Sequence, residues 1–325
     1  MSSYQTAQII HSRIRNLKYW VLNLIGSPVV VLLYHRVKSL PADVHSIAVS
    51  PENFRAHMEY LKQNFQIVRF EEDWSKLKAP AVAVTFDDGY ADNALEALPI
   101  LEEVGVPATF FVATGNIGTG NEFWWDELDR LALKESGYSL SFKLEDSQHG
   151  RAWSTATYQE RSVMYWDLHR LAMKVSAERR MGWLRQVWEW AGQDRAVGEE
   201  NRIMNQEELR ILAQSRWATV GAHTVTHSPL SALSEEEQRS EIFSSKQQLE
   251  RLLGREMTVF SYPFGKKADY DQKSIEICGE AGFLKVAAAF PGQAYSWTDP
   301  YQIPRHVVFN WDVKYFATRL KCLWI

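Results

Sequence analysis

The 325-residue chain is 46% hydrophobic and 23% charged, and its 36 Lys and Arg against 40 Asp and Glu leave a net charge of −4. This balance supplies a core and excludes a disordered chain, a collagen-like repeat and a coiled-coil rod. The lack of a basic excess argues against nucleic acid as a partner. Two cysteines, Cys278 and Cys322, are too few for a disulfide framework and fit a reducing compartment or indifference to redox state.

Taken in chain order, Ile9–Leu24 carries Arg13, Arg15 and Lys18 among apolar residues. It is expected to be a helix packed on the domain, with a peripheral helix on a membrane surface as the alternative. The apolar run Tyr19–Leu33 is broken by Asn23, Gly26, Ser27 and Pro28, short of the about 20 apolar residues that a spanning helix needs. It ends in Tyr34-His35-Arg36 and not at a small-residue cleavage site, so the expected location is cytoplasmic, with membrane association open.

Val29–Leu33 predicts a buried strand running into Tyr34-His35. Ser50 and Pro51 suit an N-cap and a first helical residue, opening a helix that carries Phe54, Met58 and Leu61 to about Asn64. Ala81–Phe86 predicts a second buried strand, a helix follows from about Asp92 to Val104, and Ala108–Val112 is a third strand. Residues 121–205 break this rhythm and predict several helices with little strand pattern, around a polar stretch near Glu145–Ala156. Seven of the 13 Trp fall there, expected mostly in a core, with one or two at a ligand rim. This part is expected to be a helical insertion within one domain spanning 1–325.

Beyond it come a strand at Ala218–Gly221, a helix from Ser234 to Leu253, a strand at Thr258–Ser261, a helix near Tyr270–Ala281 and a strand at Lys285–Ala288. Such alternation predicts an α/β fold with a parallel sheet, open or closed into a barrel. It would gather the strand ends at His35, Asp87 and His223 on one rim.

Five places could carry chemistry. Asp87 and Asp88 are adjacent carboxylates at a strand end, costly unless neutralised, and a metal held by one leaves the other as a base; an Asp-Asp-Gly turn explains them equally well. His223 and His227 lie four apart, on one face of a helix or converging in a tight loop, and two His with one carboxylate form a zinc set with an open position. Tyr262-Pro263-Phe264-Gly265 after a strand reads first as a turn. His35 leaves a strand at the rim as a general acid or a satisfied rim residue. Arg305 could hold a carboxylate by bidentate hydrogen bonds.

Thr85-Phe86-Asp87-Asp88-Gly89 and His223-Thr224-Val225-Thr226-His227 together resemble the first two signature motifs of the polysaccharide deacetylases (the NodB-homology domain, carbohydrate esterase family 4), in that family's order. The resemblance covers most of the chain except the 121–205 insertion. Leu33-Tyr34-His35-Arg36-Val37 with Ser50-Pro51-Glu52-Asn53-Phe54 resembles the branch acting on exopolysaccharides and surface glycans.

The resemblance implies a distorted (β/α) barrel and hydrolysis of an acyl group, chiefly acetyl, from a sugar. It assigns Asp88, His223 and His227 to a divalent metal, with zinc preferred, Asp87 to the general base and His35 to the general acid. Tyr262, Pro263 and Phe264 would meet the substrate, with the Phe264 N–H at the oxyanion. The family's third motif opens with an Arg that orients the base; Ser261 stands there instead, and Arg305 is the expected replacement. The family's last motif has no match after residue 290, and His35 removes the need for it. The expected partner is an N-acetylated glycan or glycan precursor, with a lipid-linked amino sugar at a membrane face as the alternative. A non-catalytic glycan-binding protein is the alternative of another class, opposed by the intact Asp87, Asp88, His223 and His227.

Overall fold

Val29–Tyr34 (β1) has no polar face and is buried throughout, as a strand covered on both sides must be. The computed structural model describes residues 22–23, 25–133, 138–192 and 199–324. A short clip, β2 (Arg36–Val37) beside β3 (Ala48–Val49), follows β1. Helix α1 (Pro51–Asn64) is capped by the Ser50 hydroxyl, which accepts from the Asn53 N–H, and it buries Phe54, His57, Met58 and Leu61 along one face. Next come β4 (Gln66–Ile67) and the fully buried β5 (Ala81–Phe86).

The predicted helix after Asp92 opens with a π-helical turn over Asn93–Ala97 before α2 (Leu98–Val104). Pro99, which has no N–H to return to the preceding turn, sits at the junction. Strand β6 (Ala108–Val112) completes the first half of the sheet.

The insertion contains α3 (Trp124–Leu133), α4 (Tyr158–Ala172) and α5 (Ala177–Ala191). Where several helices with little strand pattern were expected, it also holds an antiparallel hairpin of β7 (Ser141–Leu144) and β8 (Arg151–Ser154). Phe142, Leu144 and Trp153 point inward and their neighbours outward. Two apolar positions per strand are too few to declare a period of two. The insertion has its own apolar cluster, in which Trp124, Trp125, Trp153 and Trp183 are buried, and Trp166 is the exposed exception. Its end rejoins the barrel earlier than expected: Ile203 bridges Tyr90, and the Met204 N–H donates to the Gly89 carbonyl.

The second half runs through α6 (Gln206–Gln214), β9 (Ala218–Ala222), α7 (Glu235–Leu253), β10 (Val259–Ser261), α8 (Gln272–Glu280), β11 (Lys285–Ala287), β12 (His306–Val307) and α9 (Val313–Lys321). The sheet runs in the order β11-β10-β9-β6-β5-β1-β12, with β4 also on β5, and every pair is parallel. It curls so far that one segment reaches both ends. Ile303 bridges Ala287 of β11, while His306 and Val307 pair with Leu32 and Leu33 of β1. The result is a distorted (β/α) barrel, and the segment that joins its edges carries Arg305.

Most of the basic, apolar segment Ile9–Leu24 lies outside the described residues. Among the described residues, no helix is long and apolar enough to cross a membrane.

Candidate active site

Parallel strands end on one rim, so β1, β5, β9 and β10 deliver His35, Asp87-Asp88, His223 and Ser261 to a common place. The backbone there is unusual. Five non-glycine residues among those described have positive φ, and four of them belong to the three motifs: Asp88 (78°), Thr224 (65°), His227 (51°) and Phe264 (60°). Such conformations cost about 1–3 kcal/mol each and persist where the surroundings enforce them. Gly89 (φ 91°) follows Asp88, and a Cβ there would stand 2.7 Å from Val112 Cγ1. His223 and His227 therefore converge in a loop and not along a helix. The Thr224 hydroxyl steadies this loop by accepting from the His227 N–H at 3.2 Å.

Asp88 Oδ1 lies 3.1 Å from His227 Nε2 and 3.5 Å from His223 Nε2. One ligand atom from each of Asp88, His223 and His227 falls within 4.8 Å of the others. His223 Nδ1 donates to the Ser261 carbonyl at 2.7 Å, which leaves the Nε2 lone pair facing Asp88; that nitrogen is buried and has no hydrogen-bond partner. A carboxylate oxygen and two imidazole nitrogens, one of them orphaned, fit a divalent cation such as zinc with a coordination position left open. Burial pushes the Asp88 carboxyl up, but the nearby imidazoles of His223 and His227 outweigh it and hold Asp88 well below the usual carboxylate range. Burial pulls His223 down, and Asp87 and Asp88 more than reverse this.

Asp87 is gripped from behind. Arg305 donates from Nη1 to Oδ1 and from Nη2 to Oδ2, both at 2.7 Å. Ser261 Oγ donates to Oδ2 at 3.1 Å and accepts from Arg305 Nη2 at 2.7 Å. Burial raises the Asp87 carboxyl, yet the charge of Arg305, then that of His223, brings it below the ordinary value. Arg305 is itself fixed by donating from Nε to the Ala288 carbonyl at 2.8 Å.

Asp87, Asp88, His223 and His227 line a cleft of about 350 Å³ with His35, Trp125 and Phe264. The His35 carbonyl accepts from Asn93 Nδ2 at 2.8 Å, and its Nδ1 is buried without a hydrogen-bond partner. The rings of Trp125 and Phe264 lie 4.7 and 4.8 Å from that of His227. Tyr262 and Pro263 correct the expectation of substrate contact. The alternation of β10 turns the Tyr262 ring inward, where it is fully buried and stacked on Tyr270 at 4.0 Å, and neither residue lines the cleft.

Several lining residues escaped the sequence motifs: His45, Ile47, His169, Met173 and Lys266. His45 and His169 come from a loop and from α4, with rings 5.1 Å apart, and His45 shares a hydrogen bond with the Tyr165 hydroxyl. Neither spacing nor composition marks them. Behind the rim, Arg36 pairs with buried Asp92 at 3.0 Å, and Asp92 accepts from the Val37 N–H at 3.1 Å.

A family model described as polysaccharide deacetylase matches residues 75–170 and 192–286, more than half of the chain. The match corrects the expectation that the resemblance skips all of 121–205: it runs through residue 170 and omits 171–191, where α5 lies. The chain is 22% identical over 282 residues to YxkH of Bacillus subtilis (strain 168), itself provisionally named a polysaccharide deacetylase, covering 85% of this chain and 69% of that one. In structure it is similar to the Streptococcus pyogenes deacetylase PplD, solved in complex with acetate (TM-score 0.58, 16% identity, 90% of this chain and 98% of that one). It is also similar to IcaB from Ammonifex degensii (TM-score 0.58, 19% identity, 92% and 97%). On the extent of the family match, the chain belongs to the polysaccharide deacetylase family.

Proposed function

We propose that the chain hydrolyses the acetamide of an N-acetylated sugar in a polysaccharide or glycan precursor, with a divalent metal, preferably zinc, held by Asp88, His223 and His227. The observation that carries this is the brace of Arg305 and Ser261 on Asp87 directly beside that ligand set, with Asp87, Asp88, His223 and His227 opening into one cleft. When bound, the metal supplies Lewis acidity, making a water acidic enough for a weak base and polarising the acyl carbonyl.

Asp87 is such a weak base: Arg305 keeps it ionised and in one orientation, ready to take the proton of the attacking water. The Phe264 N–H, on a residue held at φ 60° at the cleft wall, donates to the oxygen that gains charge. Protonated His35 delivers the proton to the departing amine, and the apolar faces of Trp125 and Phe264 keep bulk water from His227.

The test is metal content and acetate release from N-acetylated oligosaccharides, with and without chelator, for wild type, Asp87→Asn and His223→Ala. About one zinc per chain and chelator-sensitive acetate release are expected. Asp87→Asn should keep the metal and lose about 10²–10⁴-fold in turnover; His223→Ala should lose the metal. If Asp87→Asn retains most activity, the base assignment is wrong. Bound metal with acyl release only from a lipid-linked amino sugar would replace the substrate, and failure to take up zinc would leave the glycan-binding alternative.

A further inference from the structure

Around His227 lies a buried charge that the chemistry above does not use. Arg180, on α5 of the insertion, is 3% exposed, and among the described residues no carboxylate stands within ion-pair distance of it. Its counter-charge is reached through a relay. Arg180 Nη2 donates to Ser228 Oγ at 2.9 Å, Ser228 Oγ lies 2.9 Å from Thr226 Oγ1, and Thr226 Oγ1 donates to Glu241 Oε1 at 2.7 Å. A hydroxyl has one proton to give. Thr226 gives its proton to the carboxylate, so Ser228 must donate to Thr226, and the chain runs in one direction from guanidinium to carboxylate. Burial pulls Arg180 down to about 10, and Glu241 is the charge that opposes this.

Glu241, on α7, also accepts from the Val225 and Thr226 N–H groups at 2.8 and 2.9 Å. The turn from Thr224 to Ser228 is thus held from two sides, by the barrel through Glu241 and by the insertion through Arg180. Arg180 is anchored in turn: its guanidinium lies 5.0 Å from the Trp124 ring, and Nη1 donates to the Ala172 carbonyl at 3.3 Å. Two residues of this turn, Thr224 and His227, have positive φ, so without such ties the turn would relax and His227 would move.

We propose that Arg180 is a positioning residue for the metal site: through Ser228 and Thr226 it fixes His227 and makes the insertion part of what sets metal affinity. This rests on the assignment of Asp88, His223 and His227 as ligands. It goes beyond that assignment because α5 lies in the stretch the family match omits.

The test is zinc affinity of the full chain by competition with a chromophoric chelator, for wild type, Arg180→Met, Arg180→Lys and Ser228→Ala, with urea unfolding of each chelator-treated protein alongside. If the wild type takes up no zinc, the ligand assignment itself falls. Given wild-type binding, Arg180→Met and Ser228→Ala should each weaken zinc by about 10- to 100-fold, as loss of an outer support of a ligand does. Arg180→Lys, which keeps the charge and a single donor nitrogen, should recover part of the loss. If Arg180→Met lowers metal-free stability but leaves zinc affinity unchanged, Arg180 serves the fold alone and the proposal is overturned. Should Arg180→Met fail to fold, Ser228→Ala, which deletes one hydroxyl, decides by the same comparison.

Discussion

Replacing Arg305 with Met tests the brace on Asp87 without emptying the space that the side chain fills. Asp87 and Arg305 are both buried, and Arg305 makes both of its bidentate hydrogen bonds at 2.7 Å. Removing one partner of a buried pair strands the other charge and typically costs about 3–5 kcal/mol. In the wild type the Asp87 carboxyl sits below its ordinary value, because the charges of Arg305 and His223 outweigh burial. A carboxyl lowered in this way stabilises the fold above its unfolded pKa of about 3.9, and that contribution is lost as pH falls through the lower folded value.

Without Arg305, burial becomes the leading influence and the carboxyl moves above its ordinary value. The variant then loses stability as pH rises from about 4 towards the new pKa. The gap between the two proteins should therefore be about 3–5 kcal/mol at pH 8 and clearly smaller at pH 5. Urea unfolding followed by Trp fluorescence, with chelator present so that metal does not contribute, measures both values. A gap below about 1 kcal/mol, the scale of an exposed pair, or one equal at the two pH values, would refute the brace.

Two further outcomes are expected. Asp126 is held up at about 8, chiefly by burial, and accepts from the Tyr90 hydroxyl at 2.7 Å. A raised carboxyl favours the fold while neutral, and roughly 1.4 kcal/mol is lost per pH unit between its unfolded and folded pKa values. Asp126→Asn should thus stabilise the chain at pH 8 and change little at pH 4, as thermal unfolding at the two pH values will show. Gly89→Ala, which places a Cβ 2.7 Å from Val112 Cγ1 at φ 91°, should cost about 1–3 kcal/mol in urea unfolding; no loss would mean that the turn after Asp88 is free to shift.

The strands and the residues at their ends were legible because β1, β5 and β6 are buried apolar runs broken only by Thr85 and Thr109, and parallel strands must bring Asp87, Asp88 and His223 to one rim. The choice between helix and loop for His223–His227 was not legible, since β-branched Thr224 disfavours positive φ and the surrounding hydrogen bonds hold it there. The hairpin at 141–154 carried too few alternating positions to stand out. Tyr262 sits beside a motif, but its side chain follows the inward phase of β10. His169 and Met173 reach the cleft because of how the insertion folds back, and His45 because of the loop between β2 and β3; no local pattern encodes either. Arg305 could be named as a candidate by its chemistry; its grip on Asp87 is a tertiary contact that only the closed sheet provides.

That closure governs the order in which the protein can become competent. Asp87 and Arg305 are separated by 218 positions and Asp87 and Ser261 by 174. Contacts between positions so distant form late and slowly, since a long loop must close before they repay it. During synthesis β1 and β5 are available to pair long before residues 303–307 emerge to span β11 and β1. Until then the sheet has two open edges and Asp87 has no guanidinium beside it. A chain stalled or clipped before Arg305 leaves Asp87 without its brace while its strand edges stay open to other chains, so loss of the last tenth of the molecule should register first as aggregation or degradation.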